Sequence, residues 1–72
     1  MAHTVTAEMV ASVHSVTVSI GDLVDAGATL LVLESMKMEI PVLAESAGTV
    51  QEVFVAVGDV VQEGDALVSI VH

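Results

Sequence analysis

The chain has 72 residues, a formal net charge of −9 and a single lysine or arginine, which excludes partners bound through clustered cations, such as nucleic acids and anionic membranes. Hydrophobic residues make up 54% but aromatic residues only 1%, so we expect one domain, residues 1–72, with an aliphatic core whose β-branched residues favour strands. Cysteine is absent, no apolar run approaches the roughly 20 residues of a membrane span, and no secretory signal is visible, so we expect a cytoplasmic protein without disulfides.

An internal repeat aligns residues 10–35 with residues 47–72 without a gap, at a shift of 37 positions. The identical pairs are Val13 with Val50, Val16 with Val53, Val18 with Val55, Gly21 with Gly58, Asp22 with Asp59, Val24 with Val61, Gly27 with Gly64 and Leu30 with Leu67. The shared frame G-D-x-V-x-x-G-x-x-L predicts two similar halves related by a quasi-twofold axis.

Each half has the pattern of short strands separated by turns. Residues 16–20 alternate between aliphatic and polar side chains, as in a strand with one buried face. Gly21 and Asp22 then predict a turn, because glycine accepts positive φ and aspartate bonds its own backbone. Residues 30–33 begin the next strand, and the second half repeats the pattern with Phe54 in the core. We therefore predict an all-β fold with about four short strands in each half.

Between the halves lies the octet ESMKMEIP, residues 34–41, which holds the only lysine, Lys37. Its flanks are strand-like, so we predict a hairpin with Lys37 at or near the turn. A helix is the alternative, because methionine, lysine and glutamate favour helices. Pro41 and the flanking strands disfavour the helix, and we expect Pro41 at the edge or the start of a strand.

The octet resembles the modification motif of biotinyl domains, in which the lysine between two methionines carries biotin. On this likeness, which extends over about residues 6–70, the chain is identified as a member of the biotin/lipoyl attachment family, similar to its small standalone carriers. The resemblance implies a flattened β-barrel or sandwich of two four-stranded antiparallel sheets with quasi-twofold symmetry, the hammerhead type. The chain departs from the family pattern at Ser35, where many members have alanine, and at residues 7–13, which lack the usual proline and glycine.

The resemblance also implies the function of a biotin carboxyl carrier protein, which is not itself an enzyme. An ordinary lysine has a pKa near 10.4, so attachment of biotin to Lys37 requires activation by a biotin protein ligase using an acyl-adenylate. The implied role is to shuttle carboxylate between biotin carboxylase and carboxyltransferase sites, which makes those subunits and the ligase the expected partners.

Ligase recognition is expected at the residues around Lys37, which are Glu34, Ser35, Met36, Met38 and Glu39. Methionines are commonly core residues, but the resemblance favours exposed thioethers that form a transient docking surface. The two glutamates are either solvated hairpin charges or contacts to the ligase.

Other interpretations of Lys37 stay open at this point. Lipoate is the second cofactor of the family, although lipoyl domains usually place aspartate before the lysine and alanine or valine after it. A biotin-bearing interaction or storage module without turnover is another alternative, and an unmodified lysine that protects a strand edge is the simplest. His3, His14 and His72 lack metal-ligand spacing, so no metal site is expected.

Overall fold

The computed structural model describes residues 2–72, and all of their helix or strand structure is β. In chain order the strands are β1 (Ala2–Thr6), β2 (Ala11–Val16), β3 (Leu23–Val24), β4 (Thr29–Ser35), β5 (Met38–Leu43), β6 (Gly48–Val53), β7 (Val60–Val61) and β8 (Ala66–Val71). One sheet has the order β1-β8-β6-β3 and the other β5-β4-β2-β7, with every pairing antiparallel. The predicted all-β architecture of two four-stranded sheets is confirmed. Within residues 2–72, no helix is long and apolar enough to cross a membrane.

The two halves of the chain fold alike, as the repeat predicts. Adding 37 to the bounds of β2 and β3 gives the bounds of β6 and β7, and β4 and β8 start 37 positions apart. The Gly-Asp turns also match. The Ser19 N–H donates to Asp22 Oδ2 over 2.8 Å, and the Ala56 N–H donates to Asp59 Oδ2 over 2.9 Å. Each aspartate therefore closes its own turn, as expected from its short acceptor side chain.

The symmetry extends beyond the part of the chain that the sequence repeat covers. Ala7 and Ala44 are buried and lie 37 positions apart. The Ala7 N–H donates to the Asp65 carbonyl over 2.9 Å, and the Ala44 N–H donates to the Ala28 carbonyl over 2.8 Å. These equivalent bonds attach the segment after β1 and the segment after β5 to the turn that precedes the last strand of each half.

The core lies between the sheets and is aliphatic. Its buried hydrophobic residues are Ala7, Ala11, Val13, Val24, Leu30, Leu31, Leu33, Ala44, Val50, Val61, Leu67, Val68 and Ile70. The largest fully buried side chains belong mainly to β4 and β8. Each such leucine or isoleucine stabilises the fold by about 1.5–3 kcal/mol. Because β4 leads directly into the octet, the most deeply buried strand of its half also anchors the hairpin.

Two predictions about individual residues are wrong. The strand expected to run through residue 20 ends at Val16, and Ile20 is exposed. The reason is that the chain leaves β4 and turns toward the other sheet: the Asp22 N–H donates to the Ser19 carbonyl over 3.0 Å, and the Gly21 N–H donates to the Val50 carbonyl of β6 over 2.8 Å. Phe54 is not in the core but 51% exposed, because it follows the end of β6 at the position equivalent to Thr17.

The strand registers define two ends of a molecule that measures 33 × 18 × 17 Å. At one end, the tip pole, Ser35 of β4 pairs with Met38 of β5. At the other, the terminal pole, Ala2 of β1 pairs with Val71 of β8. The ends of the chain and the octet turn therefore lie at opposite poles.

Candidate functional site

The hairpin predicted at the octet is present, and its turn consists of Met36 and Lys37 alone. Ser35 and Met38 pair directly across it. Both turn residues have positive φ, 53° for Met36 and 66° for Lys37. Two central residues with positive φ are the signature of a type I′ turn, whose twist matches that of the flanking strands. The helical alternative for this segment is therefore wrong.

The two strands that flank the turn, β4 and β5, are held in place by packing. In β4 the Leu33 side chain is buried in the core, and its partner Ile40 in β5 is half-buried on the same face of the sheet. Pro41 lies within β5, which is an edge strand, as its missing N–H predicts. Packing of these two strands fixes the direction in which the Lys37 side chain extends from the domain.

The methionines beside Lys37 are exposed and do not belong to the core. Met36 is 91% exposed and Met38 is 64% exposed, and Lys37 between them is exposed as well. Large apolar side chains are costly to leave in water when they could be buried. Their exposure gives the turn a flexible, polarizable surface of the kind that suits transient docking.

Two carboxylates lie directly below the turn. Glu34 and Glu39 are paired across β4 and β5, and both are exposed. Like charges opposite each other on neighbouring strands destabilise a sheet slightly. His14 Nε2 lies 3.8 Å from Glu39 Oε2 and offsets part of this cost when the imidazole is protonated. Ser35, half-buried, completes the predicted recognition set, so all its members are adjacent to Lys37.

The Lys37 ammonium group extends into solvent. Of the side chains in residues 2–72, only His14 and Glu39 form an ion pair, so no carboxylate holds the lysine against the protein. The same residues contain no cluster of three or more metal-ligating side chains. The site offers one accessible primary amine on a rigid turn, which fits covalent attachment of a carboxylic acid cofactor through an amide. It offers no group positioned to activate that amine.

The turn geometry predicts the effect of replacing Met36. A side chain other than glycine costs about 1–2 kcal/mol at positive φ, and asparagine tolerates this conformation best. We expect Met36→Asn to raise the free energy of unfolding by about 0.5–1 kcal/mol in urea denaturation. Met38→Asn, in a strand, is the control and should destabilise the protein. A loss of stability in Met36→Asn would show that the thioether contributes packing to the folded state.

Comparison with known proteins identifies the family. The family model described as "Biotin-requiring enzyme" (Biotin_lipoyl) matches residues 2–70. The biotinylated protein TB7.3 of Mycobacterium tuberculosis is 61% identical over 44 residues, which are 61% of this chain and 62% of that protein. Its homologue in Mycobacterium leprae is 64% identical over the same shares of both chains. The aligned part thus spans less than two thirds of these curated relatives.

Solved structures show the same fold inside much larger carboxylases. A single-chain, multi-domain long-chain acyl-CoA carboxylase superposes with a TM-score of 0.89 and 35% identity, over 94% of this chain and 7% of that one. The urea carboxylase of Kluyveromyces lactis superposes with a TM-score of 0.92 and 31% identity, over 99% of this chain and 6% of that one. The matched domain is therefore a small module of each large enzyme. Sequence, fold and family model agree, and the chain belongs to the biotin/lipoyl attachment family as a biotinyl-type domain.

Proposed function

We propose that this protein is a biotin carboxyl carrier, modified on Lys37 by a biotin protein ligase. The observation that carries the proposal is the exposure of the only lysine at a two-residue turn, within an octet that resembles the biotin attachment motif. The biotinylated relatives and the carboxylase domains of the same fold support it.

Attachment is a simple acyl transfer in which this protein is the substrate. The deprotonated Lys37 Nζ attacks the carbonyl carbon of a biotinyl adenylate, an amide bond forms, and adenylate leaves with the electron pair of the broken anhydride bond. The lysine loses its charge, so the formal net charge falls by one from −9. Because no carboxylate or imidazole among residues 2–72 is paired with the Lys37 ammonium group, we assign proton removal to the ligase.

We propose that ligase recognition uses the surface around the turn, namely Glu34, Ser35, Met36, Met38 and Glu39. The exposed thioethers supply apolar contact, and the paired carboxylates supply an attraction to a basic rim on the ligase. Exposed pairs of this kind contribute more to orientation and association rate than to affinity.

During turnover, the protein itself contributes the position of the attached biotin and the distance over which it can move. Bound biotin supplies the ability to accept a carboxyl group at a biotin carboxylase site and give it up at a carboxyltransferase site. A side chain on a rigid turn visits two neighbouring sites at a high effective concentration. Packing of β4 and β5 against the core holds the turn at the tip pole. We propose that the protein is a non-catalytic carrier that acts in the cytoplasm.

Reconstitution with purified biotin carboxylase and carboxyltransferase subunits tests this role. We expect the biotinylated protein to stimulate carboxylation of the acceptor, and Lys37→Ala to give none of that stimulation. Equal rates with both proteins would contradict the carrier role and favour a module that stores biotin or serves an interaction. Stimulation of an acyl-transfer complex by lipoylated protein instead would show that lipoate is the working cofactor.

A further inference from the structure

A groove separates the free edges of the two sheets. β1 and β5 each end the strand order of their sheet and are related by the quasi-twofold axis. Between them lies a cleft of about 250 Å³, whose apolar side chains include Leu33, Val5 and Val42. Val5 and Val42 are 37 positions apart, half-buried, and packed against the core. We call this cleft the β1–β5 groove.

We propose that the β1–β5 groove binds an extended basic segment of a partner protein, which adds as a strand to the edge of β1. This proposal goes beyond the carrier function and does not depend on Lys37. Its evidence is the unprotected edge of β1, the charges at the ends of the groove and the apolar side chains between them.

The edge of β1 is unusually open to strand addition. Natural edge strands are commonly protected by lysine, other charged residues or proline. β1 has the sequence AHTVT, with no acidic residue, lysine or proline. The one irregularity in its pairing with β8 falls between Val5 and Thr6, where β8 has the extra residue, so β1 itself stays regular. β5 contains Pro41 and so has one N–H donor fewer. We therefore assign the pairing to β1.

The charges of the groove select the occupant. Glu8 and Glu45 are the only acidic residues that line it, and neither lysine nor arginine does. They are exposed and lie 37 positions apart. Glu8 follows β1 toward the tip pole and Glu45 follows β5 toward the terminal pole, so they lie toward opposite ends of the groove. A strand with a cation near each end and β-branched residues between them matches this arrangement.

A second copy of this chain fits the groove poorly. Each copy has a formal charge of −9 and one lysine, which lies at the tip turn. Two such chains placed edge to edge would repel each other, because their negative charges would lie within the Debye length of about 8 Å at physiological salt. The same negative charge attracts a basic partner segment.

Occupation of the groove leaves the turn free. Lys37 extends from the tip pole, whereas the groove runs along the side of the molecule between β1 and β5. A partner segment in the groove would keep the carrier near the partner's catalytic sites while the modified lysine moves, which again raises the effective concentration.

The test uses the ¹⁵N-labelled intact protein and a blocked peptide of sequence Lys-Val-Thr-Val-Thr-Val-Lys. We expect amide shift changes concentrated in β1 and in the facing residues of β5, with an affinity that falls as salt rises. In low salt, the Glu8→Gln/Glu45→Gln double variant should bind about fivefold more weakly, because it loses two exposed charge pairs with the peptide. The matched control is Glu52→Gln/Glu63→Gln, which removes the same charge from residues outside the groove and should retain the affinity.

Several outcomes would overturn the proposal. They are the absence of shifts at millimolar peptide, shifts spread over the tip pole, equal weakening in both double variants, or self-association of the protein through β1. Lys37→Arg should bind the peptide as the wild type does, so a failure of the groove and a failure of the carrier function are distinguishable.

Discussion

We expect Lys37→Arg to abolish biotin incorporation while the protein stays folded. Arginine retains the positive charge and the length of the side chain, but its guanidinium group stays protonated in proteins and is no nucleophile for acyl transfer. The turn residue is exposed, so the substitution should change the free energy of unfolding by less than about 0.5 kcal/mol. Intact mass after incubation with biotin, ATP and a purified biotin protein ligase should show no added biotin.

The control for this experiment is Met36→Asn, which retains the turn and the lysine. It should accept biotin, more slowly if the thioether contacts the ligase. Incorporation into Lys37→Arg would place the modification at another group and contradict the assignment. Loss of the cooperative unfolding transition in Lys37→Arg would contradict the exposed position of the turn.

We expect Gly48→Ala to destabilise the fold strongly, although it adds only one methyl group. A Cβ at Gly48 would lie 2.6 Å from Ile70 Cγ2 and 2.6 Å from the Val71 carbonyl oxygen. The Ile70 side chain is fully buried and the carbonyl belongs to the backbone of β8, so neither can move cheaply. Overpacking of this kind costs about 1–3 kcal/mol, which for so small a domain lowers Tm by roughly 5–20 °C.

The internal symmetry supplies the control, because the equivalent position in the first half is Ala11. That position holds a buried methyl group without overlap, so Ala11→Gly should cost about 1–2 kcal/mol through lost burial and added backbone entropy. Thermal unfolding followed by circular dichroism measures both variants. A Tm for Gly48→Ala equal to that of the wild type would show that β6 and β8 separate easily at the terminal pole.

The all-β class and the two similar halves were predictable because the repeat encodes them twice, whereas the arrangement in two four-stranded sheets was implied by the family resemblance. Both Gly-Asp turns and the strands after them were predicted from glycine placement and aliphatic alternation, and the hairpin at Lys37 was predicted from its strand-like flanks. The end of β2 was not, because the alternation continues through residue 20 while Asp22 pulls residues 19–22 into a turn. Phe54 was also predicted wrongly: large aromatic residues are usually buried, but this one directly follows the end of β6, and its side chain is exposed.

Other features depend on tertiary structure. Met36 and Lys37 are not residues that favour positive φ, so nothing in their identity predicts a type I′ turn. The register of β4 and β5 imposes it. The equivalence of Ala7 and Ala44 can be read from the sequence, because Val5 with Val42 and Glu8 with Glu45 are identical at the same shift of 37. The close approach at Gly48 cannot, because it arises between strands far apart in the chain. The β1–β5 groove likewise exists only once the two sheets are assembled.

The measurement that tests the account most directly is the intact mass of the protein purified from its own cells, followed by peptide mapping. We expect a single adduct with the mass of biotin joined through an amide, confined to the peptide that contains Lys37. A lipoyl adduct there would assign the chain to the other branch of its family. An unmodified lysine in cells with an active biotin protein ligase would leave the fold standing and contradict the carrier function.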